Sequence, residues 1–136
     1  MLAELETIDW DIILFSEAHA VTGKSTLNGG HVLYTSIDTN RHAGVGILLH
    51  SKHVKSNNKP HMISGRIMAL DLTVNEIKIR AVAVYMPHCG YTQDEFDETY
   101  DQLRCISGKA QTQRRRLIIG GDFNSQINVG YRGNTM

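Results

Sequence analysis

Short apolar runs, each closed by glycine or by a polar pair, recur along this chain and predict strands separated by turns, with one amphipathic helix late in the sequence. Ile12-Ile13-Leu14-Phe15 has no polar position, so it is expected to be a central strand buried on both faces that runs straight into Ser16-Glu17. His31 to Ser36 and Val45 to Leu49 form a predicted hairpin around Asn40-Arg41-His42-Ala43-Gly44, with Gly44 and Gly46 marking a bulge or close packing. The clearest pair is Ile67 to Thr73 and Ile77 to Tyr85, joined through Val74-Asn75-Glu76; asparagine tolerates the positive φ of a tight hairpin turn. Along the second of these, Ile77, Ile79, Ala81, Ala83 and Tyr85 share one face, and Lys78, Arg80, Val82, Val84 and Met86 share the other. That strand is therefore half-exposed at its start and buried at its end, where Pro87 stops it.

Thr92 and Glu95 have capping-box spacing, which predicts a helix beginning near Gln93. Its expected apolar stripe is Phe96, Tyr100, Leu103, Ile106 and Ala110, with Gly108 bending or fraying the last turns. Arg114-Arg115-Arg116 follows as a solvated cationic end. Leu117-Ile118-Ile119 is too hydrophobic for a surface and predicts a buried strand that delivers Gly120-Gly121-Asp122-Phe123-Asn124 to its end. Residues 2–8 suggest the last turns of a helix, 18–30 a loop or an irregular turn of helix, 51–61 an exposed polar connection and 125–136 a polar stretch.

Length and composition narrow the picture. A chain of 136 residues holds one domain with a modest core. With 41% hydrophobic and 21% charged residues it has the composition of a folded protein. Fourteen basic and fourteen acidic residues cancel, so no general positive field attracts nucleic acid or an anionic membrane, and any phosphate recognition must be local. Cys89 and Cys105 are too few for a disulfide framework and lie outside any Cys-x-x-Cys pair, which points to a reduced, intracellular setting. The start of the chain is acidic and soon polar, unlike a targeting segment, and no apolar run approaches the ~20 residues that span a bilayer.

The chemistry gathers at strand ends. An open α/β sheet carries its reactive groups just beyond the carboxyl ends of its strands. Three predicted strands here end in Glu17, in Tyr85 with His88, and in Asp122 with Asn124. Carboxylates, a phenol and an amide suit phosphodiester hydrolysis, in which an acid holds Mg²⁺, a second acid orients water, and amide and phenol donors bind developing negative charge. The glycines before Asp122 would allow a phosphate or metal close to the backbone. The same residues also make a plain strand followed by a turn. The seven histidines are scattered without metal-ligand spacing and are expected to be surface residues.

Five segments then occur in a telling order: Asp11-Ile12-Ile13-Leu14-Phe15-Ser16-Glu17, Ala43-Gly44-Val45-Gly46-Ile47-Leu48-Leu49, Ser64-Gly65-Arg66-Ile67, Val82-Ala83-Val84-Tyr85-Met86-Pro87 and Gly120-Gly121-Asp122-Phe123-Asn124. Between about residues 9 and 125 the chain thereby resembles the endonuclease/exonuclease/phosphatase family, most of all the apurinic-type endonuclease domains of non-LTR retrotransposons. The resemblance implies a four-layer α/β sandwich of two mixed sheets faced by helices. It implies a metal-binding Glu17, an active-site Tyr85, Asp122 activating the attacking water and Asn124 contacting the scissile phosphate, with Mg²⁺ or Mn²⁺ as cofactor and DNA, or RNA, as substrate. The family's first strand with its asparagine, and its last strands with a second aspartate and an Asp-His pair, have no counterpart here, and His88 stands where relatives often carry asparagine. The expectation is thus a partial sandwich lacking first and last strands. Its function is expected to be that of a DNA endonuclease fragment, with a catalytically inactive remnant or interaction module, or a phosphatase of small phosphorylated substrates, as alternatives.

Overall fold

The computed structural model describes residues 9–16, 22–38, 43–86 and 92–122. Among these residues two four-stranded sheets and one long helix make a mixed α/β fold. The first sheet is built from β1 (Ile12–Ser16), β2 (Gly23–Thr26), β3 (Val32–Asp38) and β4 (Ala43–Leu49), in the order β1-β4-β3-β2, with all neighbours antiparallel. The second contains β5 (Lys59–Met62), β6 (Ile67–Val74), β7 (Ile77–Tyr85) and β8 (Arg116–Asp122) in chain order. Its first three strands are antiparallel, and β8 lies parallel to β7 because helix α1 (Gln93–Thr112) carries the chain back across the sheet.

Alternation along the strands makes two cores. Val32, Tyr34, Val45, Ile47 and Leu49 of the first sheet pack against Met68, Leu70, Leu72, Ala81 and Ala83 of the second. The two small alanines face large residues, so the layers interlock. On the second sheet's outer face, Ile67, Ala69, Val82, Val84 and Met86 pack with Ile106 and Leu103 of α1. The two-faced reading of Ile77 to Tyr85 holds: β7 is exposed at its first residues and buried over Arg80 to Val84. The hairpin between β6 and β7 turns on Asn75 and Glu76, whose φ angles of 50° and 69° are both left-handed, as a two-residue type I′ turn requires.

The helix starts as its capping signal predicts. Thr92 Oγ1 accepts a hydrogen bond from the Glu95 N–H at 3.1 Å, while the Glu95 carboxylate also pairs with Arg66 at 2.8 Å. The apolar stripe differs from expectation. Thr99, Ile106 and Ala110 are buried, with Leu103 beside them, whereas Phe96 and Tyr100 are exposed and stacked on each other with ring centroids 6.3 Å apart. Thr99 replaces them on the sheet side because its hydroxyl is satisfied within the helix, by the Glu95 carbonyl at 3.0 Å. The helix continues through Gly108 to Thr112 and closes with Arg114 in the left-handed region, its φ at 58°, and with the Arg115 N–H donating to the Ala110 carbonyl at 2.8 Å.

Four strand expectations change. β1 is half-buried and lies at the end of its sheet rather than in the middle, with β4 as its ladder partner among the described residues. Its apolar run reflects packing across to the other sheet. Among the described residues β8 likewise ends its sheet, and Leu117, Ile118 and Ile119 are 39%, 43% and 38% exposed rather than buried. Within the stretch read as a loop, β2 pairs with β3, and within the polar 51–61 connection β5 pairs with β6. Both are border strands held by backbone hydrogen bonds, so their side chains carry little hydrophobic signal, and Pro60 is tolerated there. The expected helix over residues 2–8 and the polar 125–136 stretch lie outside the described residues. No helix among the described residues is long and apolar enough to cross a membrane.

Candidate functional site

The parallel register of β7 and β8 sets Tyr85 opposite Asp122. Paired residues of neighbouring strands present their side chains on one face with Cα atoms about 4.8 Å apart. Here that face is the inner one, since Tyr85 follows Ala81 and Ala83 of the inter-sheet core and packs partly against it. Both residues are half-buried, neither sealed in nor fully solvated. The backbone around them is tied down: the Tyr85 N–H donates to the Arg66 carbonyl at 2.7 Å, and the Met86 N–H donates to the Asp122 carbonyl at 2.9 Å. Two of the residues singled out from sequence thus stand side by side at the carboxyl ends of adjacent strands.

A third element points to the same end. Ile12 of β1 and Ile118 of β8 line one cavity, and a Cβ placed on Gly120 would lie 3.0 Å from Leu14 Cδ1. β1 therefore runs along the inner face of β8 in the same direction, and its last residue, Ser16, is carried toward the Asp122 end. Glu17, the next residue in the chain, lies outside the described residues, as do His88 and Asn124. The metal expectation rests on Glu17; Asp122, a carboxylate at the same strand end, suits a hard cation in donor type. Among the described residues no three His, Cys, Asp or Glu side chains are gathered so as to hold a metal ion.

The two glycines before Asp122 have packing roles. Gly120 leaves room for Leu14, and Gly121, at φ 126°, brings β8 so close to β7 that a Cβ there would clash with the Val84 carbonyl oxygen. The pair therefore fixes how the Asp122 end is seated against its neighbours.

Two polar clusters escaped the sequence. On the outer face of the second sheet, buried Asp71 receives a bidentate pair of hydrogen bonds from buried Arg80, at 2.7 and 2.8 Å, and a third contact from His61 Nε2 at 3.0 Å. Arg80 also donates to the Ile106 carbonyl at 3.1 Å and to Gln113 Oε1 at 2.9 Å, tying the sheet to the end of α1. Burial pushes the Asp71 carboxyl up, but the hydrogen bonds from Arg80 and His61 and the charges of Arg80 and Arg115 outweigh it and hold the group below its ordinary value. Bonding to Asp71 raises Arg80 in turn, against the opposing effect of burial. Arg115 thus belongs to this network, 3.7 Å from Asp71, rather than to a wholly solvated cap. The strand alternation put Arg80 on one face with Val82 and Val84; nothing in the spacing linked it to Asp71.

The other cluster corrects the reading of the histidines as surface residues. Trp10, His31 and His50 form a ring triangle with centroids 4.5 to 5.0 Å apart, and all three are partly buried. His31 Nδ1 accepts from the Ser51 N–H at 3.0 Å and His50 Nδ1 from the Lys52 N–H at 3.1 Å, so each ring holds the short helical turn at Ser51–His53. His53 and Lys52 close on Asp11 at 2.8 and 3.1 Å, and their bonds lower the Asp11 carboxyl.

No model of a known protein family matches this chain, and no curated protein matches it. The site stands on its own geometry.

Proposed function

We propose that this chain carries the catalytic end of a Mg²⁺-dependent, or Mn²⁺-dependent, phosphodiesterase acting on DNA, of the endonuclease/exonuclease/phosphatase type with its four-layer sandwich. The observation that carries the reading is the register that sets Tyr85 beside Asp122 on the inner face at adjacent strand ends, with β1 directed to the same end. In this reading Asp122 accepts a proton from, and orients, the attacking water, and the Tyr85 hydroxyl donates a hydrogen bond to a phosphate oxygen. Glu17 and Asn124 are assigned by their sequence positions to metal binding and to the scissile phosphate. A bound divalent ion would supply neutralisation of phosphate charge.

The test is nicking of supercoiled plasmid by the purified, folded chain in Mg²⁺, with Glu17→Gln, Asp122→Asn and Tyr85→Phe compared. The expected result is Mg²⁺-dependent nicking that falls by roughly two to four orders of magnitude on loss of the acid–base group and is weakened by the tyrosine change. Nicking that survives Asp122→Asn, or its absence from folded protein, overturns the proposal.

A further inference from the structure

A cavity of about 380 Å³ opens between α1 and the β5 side of the second sheet, on the outer face and away from Tyr85 and Asp122. Its apolar wall is Ile63 and Ile106, and its polar lining includes Arg80, Lys109 and His61 with the amides of Gln102 and Gln113. Among the described residues no carboxylate lines it. The nearest buried acid, Asp71, is already occupied by two bonds from Arg80 and one from His61, with Arg115 close by. Of the residues that line the cavity, Arg80 comes from the sheet with its charge paired to Asp71, and Lys109 comes from the helix. The cavity therefore offers cationic and amide donors beside an apolar wall.

We infer that this cavity binds a compact organic anion, a phosphate monoester or carboxylate carried on a small flat apolar body. The anionic head meets Lys109, Arg80 and the two amides, and the apolar body lies against Ile63 and Ile106. Arg80 is a fitting floor because its bonds to Asp71, Gln113 and the Ile106 carbonyl hold the guanidinium in place before any ligand arrives. The inference does not depend on the nuclease reading, whose residues lie at the other face of the sheet.

Phenyl phosphate, benzoate and benzyl alcohol, titrated separately into the ¹⁵N-labelled chain and followed by backbone amide shifts, test it. The expected result is saturable shifts along β5 and over residues 102–113, with phenyl phosphate or benzoate binding at least about tenfold more tightly than the neutral alcohol, as one charged hydrogen bond warrants. The stronger of the two anions identifies the head group. Lys109→Ala and Gln102→Glu, both changes on the helix surface that keep good helix formers, should weaken anion binding by about tenfold or more while leaving the spectrum of the free protein folded. Equal binding of alcohol and anions overturns the inference. So does affinity unchanged in both variants, or anion shifts centred on Tyr85 and Asp122.

Discussion

Gly121 shows how much of the candidate site depends on a missing side chain. Its φ of 126° is closed to other residues, and the Val84 carbonyl oxygen occupies the place where a Cβ would go. Gly121→Ala must therefore push β8 off β7 next to the Tyr85–Asp122 pair. We expect a loss of about 1–3 kcal/mol in urea denaturation, the cost of one strained residue held in place, together with reduced activity in the nicking assay. The motif was legible as a strand end rich in glycine, but its reason was not, because the clash is with a residue 37 positions away in sequence. Tyr85 and Asp122 were likewise legible as strand-end groups; their adjacency came from a parallel register that no local pattern encodes. Glu17 and Asn124 lie outside the described residues, so that half of the sequence reading rests on the chain alone.

At the level of the elements, the contact between α1 and the second sheet is both apolar and ionic. Ile106, Leu103 and Ala110 supply the apolar part, and the Asp71–Arg80 pair with its bonds to the helix end supplies the ionic part. Removing one member leaves the other charged and buried, so Arg80→Met is expected to cost about 3–5 kcal/mol, measured by chemical denaturation, whereas a joint apolar replacement of Arg80 and Asp71 should cost much less. The sign with pH follows from the lowered Asp71 carboxyl. Its contribution is fully present above the unfolded value, about 3.9, and is lost as pH falls below that value and through the folded one. The helix itself was readable from Thr92 and Glu95, since capping acts within one turn. Which stripe faced the sheet was not, because Phe96 and Tyr100 have the periodicity of core residues while the sheet beneath accepts Thr99 instead.

Across the whole molecule, three parts of the fold carry different chemistry: a phenol and a carboxylate on the inner face at one strand end, Arg80 and Lys109 at an outer cavity, and a cluster of rings where β1, β3 and β4 meet the Ser51–His53 turn. The ring cluster sets the response to mild acid. Burial lowers His50, and the neighbouring His31, Lys52 and His53 lower it further, with Asp11 opposing. A histidine lowered on folding binds fewer protons in the folded state, so its contribution is present above the unfolded value, about 6.5, and is lost as pH falls through the folded one. Protonation at Nδ1 also removes the acceptor for the Lys52 N–H. Stability measured by urea denaturation should therefore fall between neutral pH and about pH 5, and His50→Asn, which keeps an acceptor without the titration, should flatten that fall. A profile unchanged by His50→Asn would count against this account.

The sequence by itself determined the elements whose causes are local: the tight hairpin turn at Asn75-Glu76, the two faces of β7, the Thr92 cap of α1, and the arrival of Tyr85 and Asp122 at strand ends. Periodicity, capping and turn chemistry act within a few residues, so they can be read along the chain. Tertiary structure alone decided which strands lie at the borders of the sheets, which histidines gather around Trp10, why Gly120 and Gly121 must be small, and that Arg80 finds Asp71 beside the outer cavity. Those outcomes depend on register and layer packing between distant segments. An apolar run such as Leu117-Ile118-Ile119 states that a residue is hydrophobic; only the strand beside it and the layer across from it fix how much of that surface is covered.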